Sequence, residues 1–316
     1  MTIRRQTLVL LTGAIVSLLL LQPTGFAQAA GGADAANGFA GTAACLECHK
    51  DKSLTGAHAA VSDLKSPAAL HGCESCHGSG LKHIKAAENG EDNIAASLID
   101  LSAKSSLSAS EKNSTCLACH KGSHTALWQG STHERRGVSC TTCHSAHSTN
   151  ANYLKNSSQT ELCSTCHKDV RSQLQRNSHH PIREGKMDCS DCHNVHGTVT
   201  DKLIDANTVN DKCFECHAEK RGPFLWEHAP VSEDCMTCHT AHGSSHDKLL
   251  ARKTPFLCQS CHSNSRHPGT IYALPNNAAN TDVFQAMNAR TYYRNCTNCH
   301  SMVHGSNHPS GKSLSR

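Results

Sequence analysis

The pattern Cys-x-x-Cys-His occurs ten times in 316 residues and uses all 20 cysteines. The first cysteines are Cys45, Cys73, Cys116, Cys140, Cys163, Cys189, Cys213, Cys235, Cys258 and Cys296. The second cysteines are Cys48, Cys76, Cys119, Cys143, Cys166, Cys192, Cys216, Cys238, Cys261 and Cys299. The adjoining histidines are His49, His77, His120, His144, His167, His193, His217, His239, His262 and His300. The spacing is that of covalently attached c-type haem, in which two thioethers hold the porphyrin and the adjacent histidine ligates its iron. A disulfide framework has no reason to place histidine after every second cysteine. Zinc sites built on CxxC pairs take two further ligands at other spacings. The expected cofactor is therefore ten haem c groups.

The start of the chain agrees with export. Arg4 and Arg5 precede an apolar run from Leu8 to Leu21, and Ala27-Gln28-Ala29 offers a small-x-small cleavage site, which together read as a secretory signal peptide over 1–29. The run is about 14 residues, shorter than the roughly 20 that span a bilayer as a helix. Export and haem attachment through CxxCH point to the periplasm. The domain organisation expected is a signal peptide at 1–29 and one decahaem domain at 30–316. Within that domain, 30–44 is a linker, 45–304 the haem-binding repeats and 305–316 a polar tail.

Cleavage leaves 287 residues for ten haems, about 29 each, too little chain for a conventional core. Hydrophobic residues are 37% of the total even with the cysteines included, against about 45–50% apolar in ordinary domains. The porphyrins must supply the missing interior, so folding is expected to depend on haem attachment. Charge needs the same correction. Removing Arg4 and Arg5 from a formal +4 leaves +2, and ten oxidised haems at about −1 each bring the holoprotein near −8. The basic pI of 8.2 thus gives no support to nucleic-acid binding.

Successive motifs begin 28, 43, 24, 23, 26, 24, 22, 23 and 38 residues apart. The near-constant interval from Cys116 to Cys258 marks a repeat whose units touch mainly their neighbours. Motifs four, six, eight and ten are each followed closely by a second histidine, in CHSAH, CHNVHG, CHTAHG and CHSMVHG. The repeat unit is therefore a haem pair. A histidine three or four residues past a CxxCH histidine lies on the same side of the chain, so it cannot close the opposite face of the same porphyrin. It is read as the distal ligand of a neighbouring haem.

One histidine per interval gives ten distal candidates for ten irons: His58, His83, His133, His147, His180, His196, His228, His242, His267 and His304. His71, His124, His179, His246 and His308 are surplus. His180 is preferred over its neighbour His179, and His308, which shares the frame HGSxH with His246, is the strongest challenger. Only Met187, Met236, Met287 and Met302 follow the signal peptide, so general His/Met ligation is excluded, and mostly bis-histidine haems of low, graded potential are expected.

The fold class expected is a multihaem cytochrome c, mostly irregular chain with short α-helices at the motifs and little or no β-structure. Leu81–Thr115 and Pro268–Asn295 read as surface excursions, with Ser108 and Glu111 placed as a capping box before a short helix into motif three. Ala30–Gly41 and Ser310–Arg316 read as mobile. Trp128 and Trp226, shortly before His133 and His228, read as packing on porphyrin edges.

Ten CxxCH motifs, the stretch CHAEKRGPFLWEHAPV at Cys216–Val231, CSDCHNVHG, and VHGSNHPSGK at Val303–Lys312 make the chain resemble the MtrA/DmsE/PioA family of periplasmic decahaem cytochromes. The resemblance implies ten bis-histidine haems in an elongated linear array, sheathed by an outer-membrane β-barrel porin. It implies electron exchange with an extracellular multihaem cytochrome on one side and periplasmic or inner-membrane cytochromes on the other. Proximal roles fall on the ten CxxCH histidines and distal roles on the ten intervening ones. The residues support one part independently: the mature chain has neither a transmembrane helix nor serial alternating strands, so a conduit would need another protein to insulate it. A soluble electron shuttle without a porin is the alternative. A multihaem reductase is a second, disfavoured because every motif ends in His and no iron lacks a candidate sixth ligand.

Overall fold

The computed structural model describes residues 34–262 and 295–315. The chain forms two compact units, Met1–Ile99 and Asp100–Arg316. The boundary falls inside the first expected excursion. That segment is more ordered than its polar composition suggests: it carries an α-helix at Leu81–Glu88 and a 3-10 turn at Ile94–Ser97.

The architecture is that of a multihaem cytochrome c. Among the described residues there are short helices and isolated bridges but no strands, and the longest helix, Ala109–Leu117, has nine residues. The expected capping box opens that helix: the Ser108 hydroxyl accepts from the Glu111 N–H and the Glu111 carboxylate accepts from the Ser108 N–H. Helices this short are marginal in isolation, and the polypeptide has little apolar interior to hold them. Among the described residues only Trp128 and Leu174 are buried hydrophobics.

What repeats is a local turn. In all ten motifs the histidine N–H donates to the carbonyl of the first cysteine, at 2.9–3.1 Å. One closed turn places Cys(i), Cys(i+3) and His(i+4) on the same face.

After motifs four, six and eight the chain makes a second recurring device. It turns through two consecutive non-glycine residues at positive φ, Asn152-Tyr153, Lys202-Leu203 and Lys248-Leu249. It then returns beside its own motif in bridges His144–Leu154, His193–Ile204 and His239–Leu250. The carbonyls of Cys143, Cys192 and Cys238 accept from the N–H groups of Lys155, Asp205 and Ala251 at 2.8–2.9 Å.

The C-terminal segment folds back in a related way on motif ten. The Leu314 carbonyl accepts from the Met302 N–H at 2.9 Å, and Gly311 is buried. The tail expected to be mobile is docked through its backbone, which its polar side chains do not advertise. Likewise Ala40 and Gly41, expected in a mobile stretch, are held in the first unit by Glu74.

Candidate functional site

The motif turns present their imidazoles to one another in pairs. Seven such pairs are described: His49–His83, His133–His167, His144–His196, His180–His217, His193–His242, His228–His262 and His239–His304, with ring centres 6.0–6.4 Å apart. Each joins one CxxCH histidine to one of the intervening histidines. Two metal–nitrogen bonds of about 2.0–2.1 Å, plus roughly 1.1 Å from nitrogen to ring centre on each side, sum to about 6.3 Å. The pairs therefore have the spacing of two imidazoles on opposite faces of one porphyrin iron.

The ring nitrogens agree with that use. Nδ1 of His77, His83, His133, His144, His180, His193, His228, His239 and His300 lies 2.6–3.0 Å from a backbone carbonyl oxygen. A carbonyl can only accept, so Nδ1 carries a proton and Nε2 is the nitrogen left to face a metal. The acceptors for His144, His193 and His239 are Asn152, Lys202 and Lys248, the first positive-φ residue of each returning loop. That backbone conformation aims the carbonyl at the motif. Burial also pushes the pKa of His196, His242 and His304 below the ordinary imidazole value, favouring the neutral form.

The pairs follow a rule. His196, His242 and His304, which follow motifs six, eight and ten, face the histidines of motifs four, six and eight. His133, His180 and His228, which precede motifs four, six and eight, face those of motifs five, seven and nine. The two sets meet in the dipeptides Val195-His196, Ala241-His242 and Val303-His304. In each, the first residue's carbonyl accepts from Nδ1 of the preceding-set histidine, and the second presents its own ring. Gly197, Gly243 and Gly305 follow these dipeptides. An added Cβ there would collide with the Leu127 carbonyl, the Gln173 carbonyl and the Phe224 ring respectively.

His58 sits in the 3-10 turn Gly56–Ala59, and His147 follows motif four with its N–H on the Ser145 hydroxyl. His120 closes the turn of motif three. His267 lies outside the described residues. Of the surplus histidines, His179 is committed elsewhere: Nδ1 donates to the Arg176 carbonyl at 2.7 Å and Nε2 lies 3.1 Å from the Glu184 carboxylate. His308 accepts from the Ser310 hydroxyl at Nδ1, 2.8 Å. His71 stacks on Phe39 with centres 4.1 Å apart. The His124 carbonyl accepts from Asn194, and the His246 N–H donates to Ser244.

The twenty cysteines look equivalent in the residues, but the fold makes them unequal. None of the twenty is joined in a disulfide, and every first cysteine is half-buried. The second cysteines divide by motif. Cys48, Cys119, Cys166, Cys216 and Cys261 of the odd motifs are exposed, whereas Cys76, Cys143, Cys192 and Cys238 of the even motifs are half-buried. Cys299 departs from the alternation and is exposed.

Thiols also mark which motifs are neighbours. The first cysteines lie beside one another in the pairs Cys45–Cys73, Cys116–Cys140, Cys163–Cys189, Cys213–Cys235 and Cys258–Cys296. Second cysteines feel one another across the next boundary, Cys143 with Cys166, Cys192 with Cys216 and Cys238 with Cys261. Motifs four to nine thus each lie beside the one before and the one after. Trp128 is buried with its ring centre 6.3 Å from that of His196, while Trp226 donates from Nε1 to the His308 carbonyl.

Residues 133–172, 179–222 and 228–267 match the doubled CXXCH motif family, and residues 21–78 and 79–145 match the cytochrome c554 and c-prime family. The chain is 43% identical over 281 residues to the multiheme cytochrome MtrA of Shewanella baltica (strain OS185), an alignment covering 87% of this chain and 81% of that protein.

Proposed function

The chain belongs to the MtrA family of multihaem c-type cytochromes, electron-transfer proteins with covalent haem c, and from that premise we propose that it is a ten-haem relay carrying electrons across the outer membrane. The observation that carries this reading is the set of imidazole pairs at 6.0–6.4 Å. Haem c supplies, when bound, an iron that takes up and releases one electron. The rest belongs to the chain. The twenty cysteines would fix the porphyrins, and the ten CxxCH histidines would each offer one ligand to an iron. His58, His83, His133, His147, His180, His196, His228, His242, His267 and His304 would offer the other. Two imidazoles for each iron would leave no site for substrate, which favours a carrier over a reductase, and such ligation favours low potentials. Neighbouring motifs hold their attachment points against each other, so electrons pass in sequence order along the second unit.

No described helix is long and apolar enough to cross a membrane. In the proposed role an outer-membrane β-barrel porin insulates the relay, since backbone facing lipid must be satisfied within helices or closed barrels. The signal peptide delivers the chain to the periplasm. There it exchanges electrons with periplasmic or inner-membrane cytochromes and, through the porin, with an extracellular multihaem cytochrome or metal. The test is to solubilise outer membranes in mild detergent, purify the haem-staining species and reconstitute it in liposomes. Elution in fixed proportion with a heat-modifiable barrel, and electron transfer to an enclosed acceptor, are expected. Free protein in the periplasmic fraction with none in the membrane would replace the conduit with a diffusing shuttle.

A further inference from the structure

Three odd–even motif pairs of the second unit are bridged by an amide side chain from just before the odd motif. Asn113 stands three residues before Cys116 and is 3% exposed; its Oδ1 accepts from the Cys140 N–H at 2.7 Å and its Nδ2 donates to the Val138 carbonyl at 3.4 Å. Asn210 stands three residues before Cys213 and is 8% exposed. Its Oδ1 accepts from the Cys235 N–H at 2.8 Å, and its Nδ2 donates to the Val231 and Ser232 carbonyls at 3.0 and 3.2 Å. Gln159, four residues before Cys163, does the same at one remove: Oε1 accepts from the Ser190 N–H at 3.0 Å and Nε2 donates to the Ser190 hydroxyl at 2.8 Å.

The bonded groups are the first residues of the even motif's attachment turn, Cys140, Ser190 beside Cys189, and Cys235. In the same three pairs the first cysteines of the two motifs are close neighbours. The amide therefore ties together the two turns that carry neighbouring attachment points. A donor and an acceptor on one rigid group fix both the separation and the relative rotation of the two turns. Helix capping does not account for this: Asn113 and Asn210 lie inside helices Ala109–Leu117 and Val209–Phe214, whose caps are Ser108 and Thr208.

We propose that Asn113, Gln159 and Asn210 are positioning residues for electron transfer, clamping the two haem sites of each odd–even pair at one fixed separation and orientation. Electron tunnelling falls exponentially with distance, so a clamp at the anchor sets the rate of the step between the two sites. The inference rests on the relay reading, and a failure of that reading is seen first, as wrong haem content or a spectrum that is not bis-histidine in the unmodified protein.

The test uses the full-length holocytochrome with Asn113→Leu, Asn210→Leu and both together. The control is Ser66→Ala, which removes a buried hydroxyl bonded within its own segment, to the Ala60 carbonyl and the Ala69 N–H. Haem stoichiometry, the low-spin spectrum, the exciton couplet in the Soret circular dichroism and inter-haem electron equilibration after a flash of reductant are measured. The clamp variants are expected to keep full haem content and bis-histidine spectra. Each loses couplet amplitude and equilibrates several-fold more slowly, the double variant most. Asn210→Asp, which keeps the acceptor for the cysteine N–H, is expected to retain more of the couplet than Asn210→Leu. A couplet and rate unchanged in the clamp variants, with melting lowered as in Ser66→Ala, would overturn the proposal. Should a buried-asparagine variant fail to mature, Gln159→Leu, on a half-buried side chain, takes its place: a weaker couplet and slower equilibration support the clamp, and no change in either overturns it.

Discussion

The carbonyl oxygen of Val195 accepts a 2.9 Å hydrogen bond from Nδ1 of His133, 62 positions earlier in the chain. His133 faces His167 of motif five, whereas His196, bonded directly to Val195, faces His144 of motif four. One peptide unit thus serves two imidazole pairs.

Gly197→Ala should disturb both pairs at once. The glycine sits at φ 135°, and an added Cβ meets the Leu127 carbonyl backbone-on, where no side chain can swing aside. A loss of about 1–3 kcal/mol is expected for such overpacking. Potentiometric titration followed by magnetic circular dichroism should show two haem components shifted and the others in place. A shift in none would mean that the Val195-His196 dipeptide does not couple the pairs.

His180→Ala and His179→Ala should separate sharply, although the residues are adjacent. The His180 ring faces His217 at 6.4 Å, so its loss should open one iron and produce a high-spin signal from that haem alone. The His179 ring is bonded to Arg176 and Glu184, and its loss should leave the low-spin spectrum intact. Electron paramagnetic resonance of the oxidised variants checks both.

His196→Met should raise the potential of one haem, because thioether ligation favours the reduced iron relative to imidazole. His304→Met should do the same to a different haem, the one facing His239. Spectroelectrochemistry that found both shifts on one component would break the pairing rule described above.

Glu74 makes the first unit locally vulnerable. Its carboxylate, 5% exposed, accepts from the N–H groups of Ala40, Gly41 and Gly80 at 2.9, 2.9 and 2.6 Å. Glu74→Ala leaves three buried donors unmet at about 1–3 kcal/mol each, and a net loss on the order of 3 kcal/mol or more is expected. Glu74→Gln should lose less, since it retains one acceptor oxygen. Limited proteolysis should cut the Glu74→Ala protein early near residues 38–41 while the second unit's haem peptides persist.

The motifs, the repeat, the cofactor class and the Ser108–Glu111 cap are all legible in the residues, because each depends on side-chain chemistry at fixed spacing. That His196 should face a motif other than its own follows from the same reasoning. Its partner, His144 rather than any other, does not, because that pairing is made by packing over 52 positions. The carbonyls of Asn152, Lys202 and Lys248 leave no trace in residue identity: every residue has one, and three different loops adopt the same positive φ without a glycine. The docking of Ser310–Ser315 escapes notice for the same reason, since Ser313 contributes its backbone to His300. The unequal exposure of Cys48 and Cys76 is equally silent, since both stand at the same place in the same motif. The recurrence of Asn three residues before Cys116 and Cys213, by contrast, is a readable signal of the clamps.

The pairing rule has a direction in time. Every chain is made from its N-terminus, and His144, His193 and His239 each emerge well before His196, His242 and His304, which face them. During synthesis and delivery the leading end therefore always holds motifs whose second imidazole has yet to arrive. Assembly along this stretch is then sequential: motifs four, six and eight each await a histidine from two motifs later, so a chain cut after motif five or motif seven should leave the even motif before it without its facing imidazole.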